Sequence, residues 1–262
     1  MEILWITVRV KPTPLPYQNR AENVRDVLAS VFRTPPDGLR GFDTDAAVDE
    51  ATARAFADAG YRFCVRYVRR QERHEHDLSF QELGILLSAG LGVMAVQHVA
   101  PDGWSPTAAL GATYGTVAAT EAKAIDMPSG VTLWCDLEGV ALGTPARHVI
   151  DYCNEWYRAV AGEGFVPGLY VGFRCGISSA QLYHALRFAH FWGAYNVSAD
   201  QEPAVRGFQM RQSVPAPQAL VLNSNLLFQI DAIHGDALGG RPALLVPDSW
   251  FELARNGAPR RD

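Results

Sequence analysis

Three apolar runs of this chain end in carboxylates: Gly41-Phe42-Asp43, Cys135-Asp136-Leu137-Glu138-Gly139 and Gln229-Ile230-Asp231. Side chains alternate along an extended strand, so Asp136 and Glu138 point to one side, their α-carbons about 6.6 Å apart, while Leu137 points to the other. Carboxyl groups crowded into one hollow cannot all ionise at ordinary pH; like charge and partial burial keep a proton on at least one of them near neutrality. A protonated acid beside an ionised one is the pair that glycoside hydrolysis needs. One protonates the leaving oxygen, and the other directs water or stabilises an oxocarbenium-like centre. The competing use of the same acids is structural, as helix caps or as partners of Arg66 and Arg174.

Flat rings and amides sit near the same run ends. Tyr67, Trp104, Tyr170 and Trp192 could lay apolar faces on the C–H surface of a sugar, and Gln97, Gln209 and Gln212 could bond its hydroxyls. Tyr67, Gln97, Tyr170, Trp192, Gln209 and Gln212 are therefore the candidate substrate-binding residues. Trp156 falls on the apolar stripe of a helix and belongs to the core.

These groups meet only if the strand ends converge, and the pattern of the chain supplies a way. From Leu39 onward short apolar runs alternate with helical patterns, the mark of repeated βα units around a parallel sheet. Strands are expected at 39–43, 62–68, 92–99, 131–137, 166–172, 190–195, 207–212 and 226–231, with helices at 49–59, 79–89, 106–125, 144–162 and 178–186. Gly60 and Gly90 stop two of these helices, Ser79 and Glu82 have capping-box spacing, and Thr144-Pro145 opens another as N-cap and first helical residue. Neither 196–206 nor 213–225 shows a sustained helical period. The expected fold is α/β, a (β/α) TIM-type barrel with an irregular, helix-poor last third, whose reactive groups gather at the carboxyl ends of the strands. The rival is an open doubly wound sheet, but no Gly-rich phosphate loop follows an early strand; Gly111 and Gly115 lie inside a helical pattern. Residues 1–38, with Pro12, Pro14 and Pro16 and an amphipathic stretch at 21–32, read as an N-terminal extension, and 39–262 as the barrel domain.

The 262 residues carry 23 basic and 28 acidic side chains, a net charge of −5, which argues against a nucleic-acid partner. The run from Ile3 to Val10 is too short to span a bilayer and lacks signal-peptide flanks, so synthesis in the cytoplasm is expected, with export requiring a route independent of a signal peptide. Cys64, Cys135, Cys153 and Cys175 lack zinc-ligand spacing and are expected as buried free thiols. His74-Glu75-His76-Asp77 lies in a polar loop without metalloprotease spacing, so no metal and no cofactor is expected.

The series Gly41-Phe42-Asp43, Arg66-Tyr67, Gly90 to Gln97, Asp136-Leu137-Glu138, Gly168-Leu169-Tyr170-Val171-Gly172 and Asp231 resembles the glycoside-hydrolase-like TIM-barrel domain of bacteria, and more distantly the family 25 lysozymes. The resemblance covers about residues 39–240. It implies Glu138 as proton donor, Asp136 as its partner, Asp43 and Asp231 as supporting carboxylates, and peptidoglycan as the carbohydrate polymer attacked. Many members of the bacterial group carry D-x-D at the fourth strand, so D-L-E is nearer the lysozyme form. No cell-wall-binding repeat is recognisable, which leaves residues 1–38 as a candidate contact for a delivery partner. A catalytically silent barrel that binds glycan or a protein is the reading from a different class.

Overall fold

The computed structural model describes residues 7–8, 29–213, 229–234, 238 and 240–251. In chain order the elements are β1 (Thr7–Val8), β2 (Ala29–Phe32), β3 (Arg40–Thr44), α1 (Glu50–Asp58), β4 (Phe63–Val68), α2 (Phe80–Ser88), β5 (Gly92–Gln97), α3 (Ala108–Ala124), β6 (Thr132–Leu137), α4 (Ala146–Gly162), β7 (Val166–Val171), α5 (Ser179–His184), β8 (His190–Gly193), a 3-10 turn (Ala199–Gln201), β9 (Met210–Ser213), β10 (Gln229–Ile233) and β11 (Leu244–Pro247).

Strands β3 to β9 stand side by side in chain order and parallel, and β10 closes the wall between β9 and β3, making a closed eight-stranded barrel. The expected TIM-type architecture is the observed one, and only the 3-10 turn stands where a helix would follow β8. The closing strand departs from expectation. β10 is antiparallel to both neighbours, so it runs from the mouth end of the barrel back toward the opposite end. Asp231, expected at the carboxyl-end mouth, therefore pairs with Gly41, two residues below Asp43 on β3.

Local chemistry explains most element boundaries. Ser79 caps α2 by accepting from the Glu82 N–H at 3.1 Å, and Gly60 and Gly90 follow their helices with φ of 90° and 85°. The capping box at Ser79 is only half made, since the Glu82 carboxylate turns inward to Arg66 and to the Val48 N–H. The N-cap of α4 is Pro145, one residue later than Thr144, and makes no side-chain cap bond. Within the amphipathic stretch at 21–32, residues 29–32 are the strand β2; residues 9–28, which include the three prolines, and the start of the expected last strand at 226–228 lie outside the described residues.

The wall forks at β5. Val93 pairs with Leu245 of β11, which continues to β2, whereas Ala95 and Val96 pair with Leu133 and Trp134 of β6. Outside the barrel, Phe42 stacks on Phe56 of α1 at 3.8 Å between ring centroids. All four cysteines are buried free thiols. Among the described residues, no helix is long and apolar enough to cross a membrane.

Helices α3 and α4 pack most closely where Gly111 and Gly115 face the Tyr152 and Trp156 backbones, leaving no room for a β-carbon. Alanine is the better helix former by about 1 kcal/mol, yet Gly111→Ala would press on the Tyr152 carbonyl. The close approach dominates, so Gly111→Ala is expected to lower stability by about 1–3 kcal/mol, measurable by denaturant unfolding.

Candidate active site

Alternation along the strands sends Tyr67, Trp134, Asp136, Tyr170, Trp192 and Gln212 to the barrel interior with Asp43 and Asp231, and sends Arg66, Gln97 and Leu137 outward. Along β7 and the residue that follows it, the inward positions read Gly168, Tyr170 and Gly172. The glycines are spaces for their neighbours on β6: a β-carbon on Gly168 would meet the Trp134 ring, and one on Gly172 would come within 2.6 Å of the Glu138 β-carbon and against its carboxylate. Glu138 is the first residue past β6, and Gly139 follows in the left-handed region at φ 64°, turning the chain away from the barrel. Its peptide position is held by Trp104, whose indole N–H donates to the Glu138 carbonyl at 2.8 Å.

All four expected carboxylates face the inside of one barrel. Asp43, Asp136 and Asp231 are 2%, 6% and 0% exposed, and Glu138 is half-buried at the mouth. Gln212 donates its amide N–H to Asp43 Oδ2 at 2.9 Å, and its amide oxygen accepts from the Tyr170 hydroxyl and the Tyr195 N–H, each at 3.2 Å. Trp192 donates its indole N–H to Asp231 Oδ1 at 2.9 Å. Asp231 Oδ2 and Asp136 Oδ1 are buried without a donor. Asp231 lies against Asp43, so an oxygen that finds no N–H there is satisfied when the two carboxyls share a proton.

Among the described residues no arginine, lysine or histidine forms an ion pair with these acids. Arg66 is spent on Glu82 at 2.5 Å and Arg174 on Asp102, so the structural alternative for the carboxylates does not hold. Without cations, burial dominates the proton equilibria. It pushes Asp43 up to about 6 against the Gln212 and Asp231 hydrogen bonds. Asp136 is held well above the carboxylate range by burial first, then by the charges of Glu138 and Asp43. Burial, then Asp43, raises Asp231 likewise. Glu138 is also raised by burial, opposed by the Phe173 N–H that donates to it, with Asp102 and Asp43 adding to the rise. The phenols of Tyr67 and Tyr170 stay protonated in this surrounding.

The expected sugar-binding set divides. Tyr67 is half-buried at the mouth, while Tyr170 and Trp192 are buried and form the floor, their rings 4.6 Å apart. Gln212 organises the acids. Gln97 does not reach the mouth: it faces outward, donating to the Arg69 and Tyr114 carbonyls and accepting from the Trp156 indole. Gln209 is likewise misplaced by the expectation, since it precedes β9 at the opposite end and bonds the Phe191 N–H and the Arg206 and Gly207 carbonyls.

Sequence reasoning missed the support behind Tyr67. Its ring lies 4.9 Å from that of His98, which bonds Asp77 at 2.7 Å and meets the His74 ring at 4.6 Å. Burial holds the His98 imidazole below its usual pKa despite Asp77. The His-Glu-His-Asp loop thus buttresses the mouth. Among the described residues no group of three His, Cys, Asp or Glu is arranged to hold a metal ion.

Fold and site together define a glycoside-hydrolase-like barrel. Residues 54–222 match the Rv2525c-like, glycoside hydrolase-like domain, and the chain belongs to that family. No curated protein matches the sequence. Similar solved structures include an uncharacterized B. stearothermophilus protein (17% identity, TM-score 0.57, covering 75% of this chain and 96% of that one). The Mycobacterium tuberculosis Tat-secreted protein Rv2525c is similar at 14% identity and TM-score 0.56, over 78% of this chain and 98% of that one. A family 25 glycosyl hydrolase from Bacillus anthracis is similar at 11% identity and TM-score 0.51, over 79% and 95%. At such identities these likenesses establish a shared barrel.

Two predictions follow from the geometry. Gly172→Ala is expected to displace the Glu138 carboxylate while leaving the barrel folded, seen as an altered Glu138 titration by carboxyl NMR with little change in unfolding temperature. The second concerns pH. A carboxyl whose folded pKa is raised opposes folding above that pKa, and the penalty fades as pH falls toward its unfolded value. Asp43→Asn removes a penalty that is present above about pH 6 and absent below about pH 4. It is therefore expected to raise the unfolding temperature by roughly 3 °C or more at pH 8 and to have little effect at pH 4.

Proposed function

We propose that this chain hydrolyses glycosidic bonds of an amino-sugar polymer, with peptidoglycan as the substrate class. Glu138 is the proton donor: it is the acid nearest the opening, burial raises its affinity for a proton, and the Phe173 N–H and the Gly172 space fix its direction. Asp136, on the same face of β6, supports the reaction centre, and Asp43 with Asp231 forms a proton-sharing base beneath it. The observation that carries this reading is a set of inward carboxylates with no cation among the described residues to neutralise them. Similarity to barrels described as a muramidase from Trichobolus zukalii and a bacterial lysozyme from Streptomyces coelicolor supports the substrate class, as does the half-buried Tyr67 ring at the rim.

The second reading, a barrel that holds glycan without cutting it, draws on the depth of the aspartates, since Asp231 is wholly buried and Asp43 nearly so. Release of reducing ends from purified peptidoglycan separates the two. Glu138→Gln is expected to reduce release by on the order of 100-fold or more, with an unchanged circular dichroism spectrum. Equal release by the variant and the unsubstituted chain removes Glu138 from the reaction, and saturable glycan binding with no release by either establishes the silent barrel. Residues 1–38 are proposed as the segment that meets a delivery partner.

A further inference from the structure

A cavity of about 390 Å³ opens on the same rim as the carboxylates but to one side of them, between the β6–α4 loop, the β7–α5 loop and the 3-10 turn. Its wall begins at Val140, two residues beyond Glu138, so the loop that carries the acid continues into the cavity. Arg174 lines it and is unusual in three respects. Its backbone lies in the left-handed region at φ 53°, a conformation that non-glycine residues hold only when their surroundings compel it. Its Nε is buried without an acceptor. Its guanidinium rests 4.9 Å above the Phe173 ring and pairs with Asp102, whose side chain is 75% exposed. An ion pair with so exposed an acid is weak in water, and an incoming carboxylate can take the place of Asp102. Asp200 also lines the cavity and offers a carboxylate to N–H donors, and Leu142, 84% exposed, adds an apolar lining side chain. A cation and an anion lining one small cavity fit a ligand that carries a carboxylate and amide N–H groups together.

We infer that this cavity is a subsite for the carboxylate-bearing substituent of the glycan, either an acid ether on the sugar or a short acidic peptide attached to it, bound while the chain lies across Glu138. This rests on the glycan reading above. Arg174 is the specificity-determining residue, and the substituent's carboxylate displaces Asp102 from it.

The test follows the side-chain Nε–H signal of Arg174 in the full-length ¹⁵N-labelled chain, assigned by its loss in Arg174→Lys. Three ligands are titrated: neutral chitotetraose, N-acetylglucosaminyl-N-acetylmuramic acid, and the same disaccharide bearing an L-alanyl-D-glutamate dipeptide. The signal is expected to move with acidic ligand and stay still with chitotetraose, and Arg174→Gln is expected to weaken the acidic ligand by on the order of 10-fold more than the neutral one. A response to both acidic ligands assigns the site to the sugar's own acid, and a response only to the dipeptide-bearing one assigns it to the peptide. An unmoved signal with both, or equal weakening of acidic and neutral ligands by Arg174→Gln, overturns the subsite. Turnover measured separately with Glu138→Gln keeps the two proposals apart: acidic selectivity without hydrolysis leaves the subsite standing, and hydrolysis without selectivity removes only the subsite.

Discussion

Three carboxyl groups are folded into the interior of one barrel and a fourth, Glu138, stands at its mouth, and among the described residues no cation neutralises them. Charge in a low-dielectric interior is costly, and proteins meet that cost by pairing, by hydrogen bonding or by keeping protons bound. The first route is closed here, so the second and third shape the interior. Gln212 and Trp192 are placed as donors to Asp43 and Asp231, and Asp43 beside Asp231 adds to burial in raising the proton affinity of the latter. Gly168 on β7 and Gly172 just after it leave the space in which Trp134 and Glu138 lie. An arrangement held at that expense of stability has the character of a site, because core packing alone would be better served by apolar side chains.

The compensating rigidity lies outside the wall. Arg66 points away from the barrel into a buried fork, bonding Glu82 and the Thr44 and His76 carbonyls, while Glu82 also receives the Val48 N–H. One ion pair thereby ties the loops after β3 and β4 to helix α2. Those loops carry Asp45 and the His74–Asp77 stretch that flank Asp43 and support Tyr67 through His98. Cation and acid are separated by a single strand: paired charge on its outer face, unpaired acids across the interior.

Much of this was legible in the residues, and the reason is periodicity. Asp136 and Glu138 share a face because a strand alternates, and Val149, Cys153, Trp156 and Val160 are buried together because α4 repeats every 3.6 residues. What remained hidden has no local signature. The residues of β10 read the same in either direction, so nothing in them says that the last strand descends and lowers Asp231 beneath Asp43. Gln97, Gln209 and Gln212 are chemically alike and differ only in strand parity and in which end of the barrel they occupy. Glu82 has the spacing of a capping residue, and a tertiary partner, Arg66, takes its carboxylate. Gly111 and Gly115, unremarkable inside a helical pattern, turn out to set how closely α3 meets α4.

The fork at β5 bears on assembly in time. β2 is joined to β11 across more than two hundred residues, and β3 to β10 across nearly as many, so the seam of the wall unites segments that leave the ribosome far apart in time. Such long-range pairing must await the late strands. Until β10 emerges from the ribosome, Asp43 has neither Asp231 nor a closed wall beside it and remains an ordinary wet carboxylate. The raised proton affinity of the interior acids is therefore acquired only when β10 closes the cylinder.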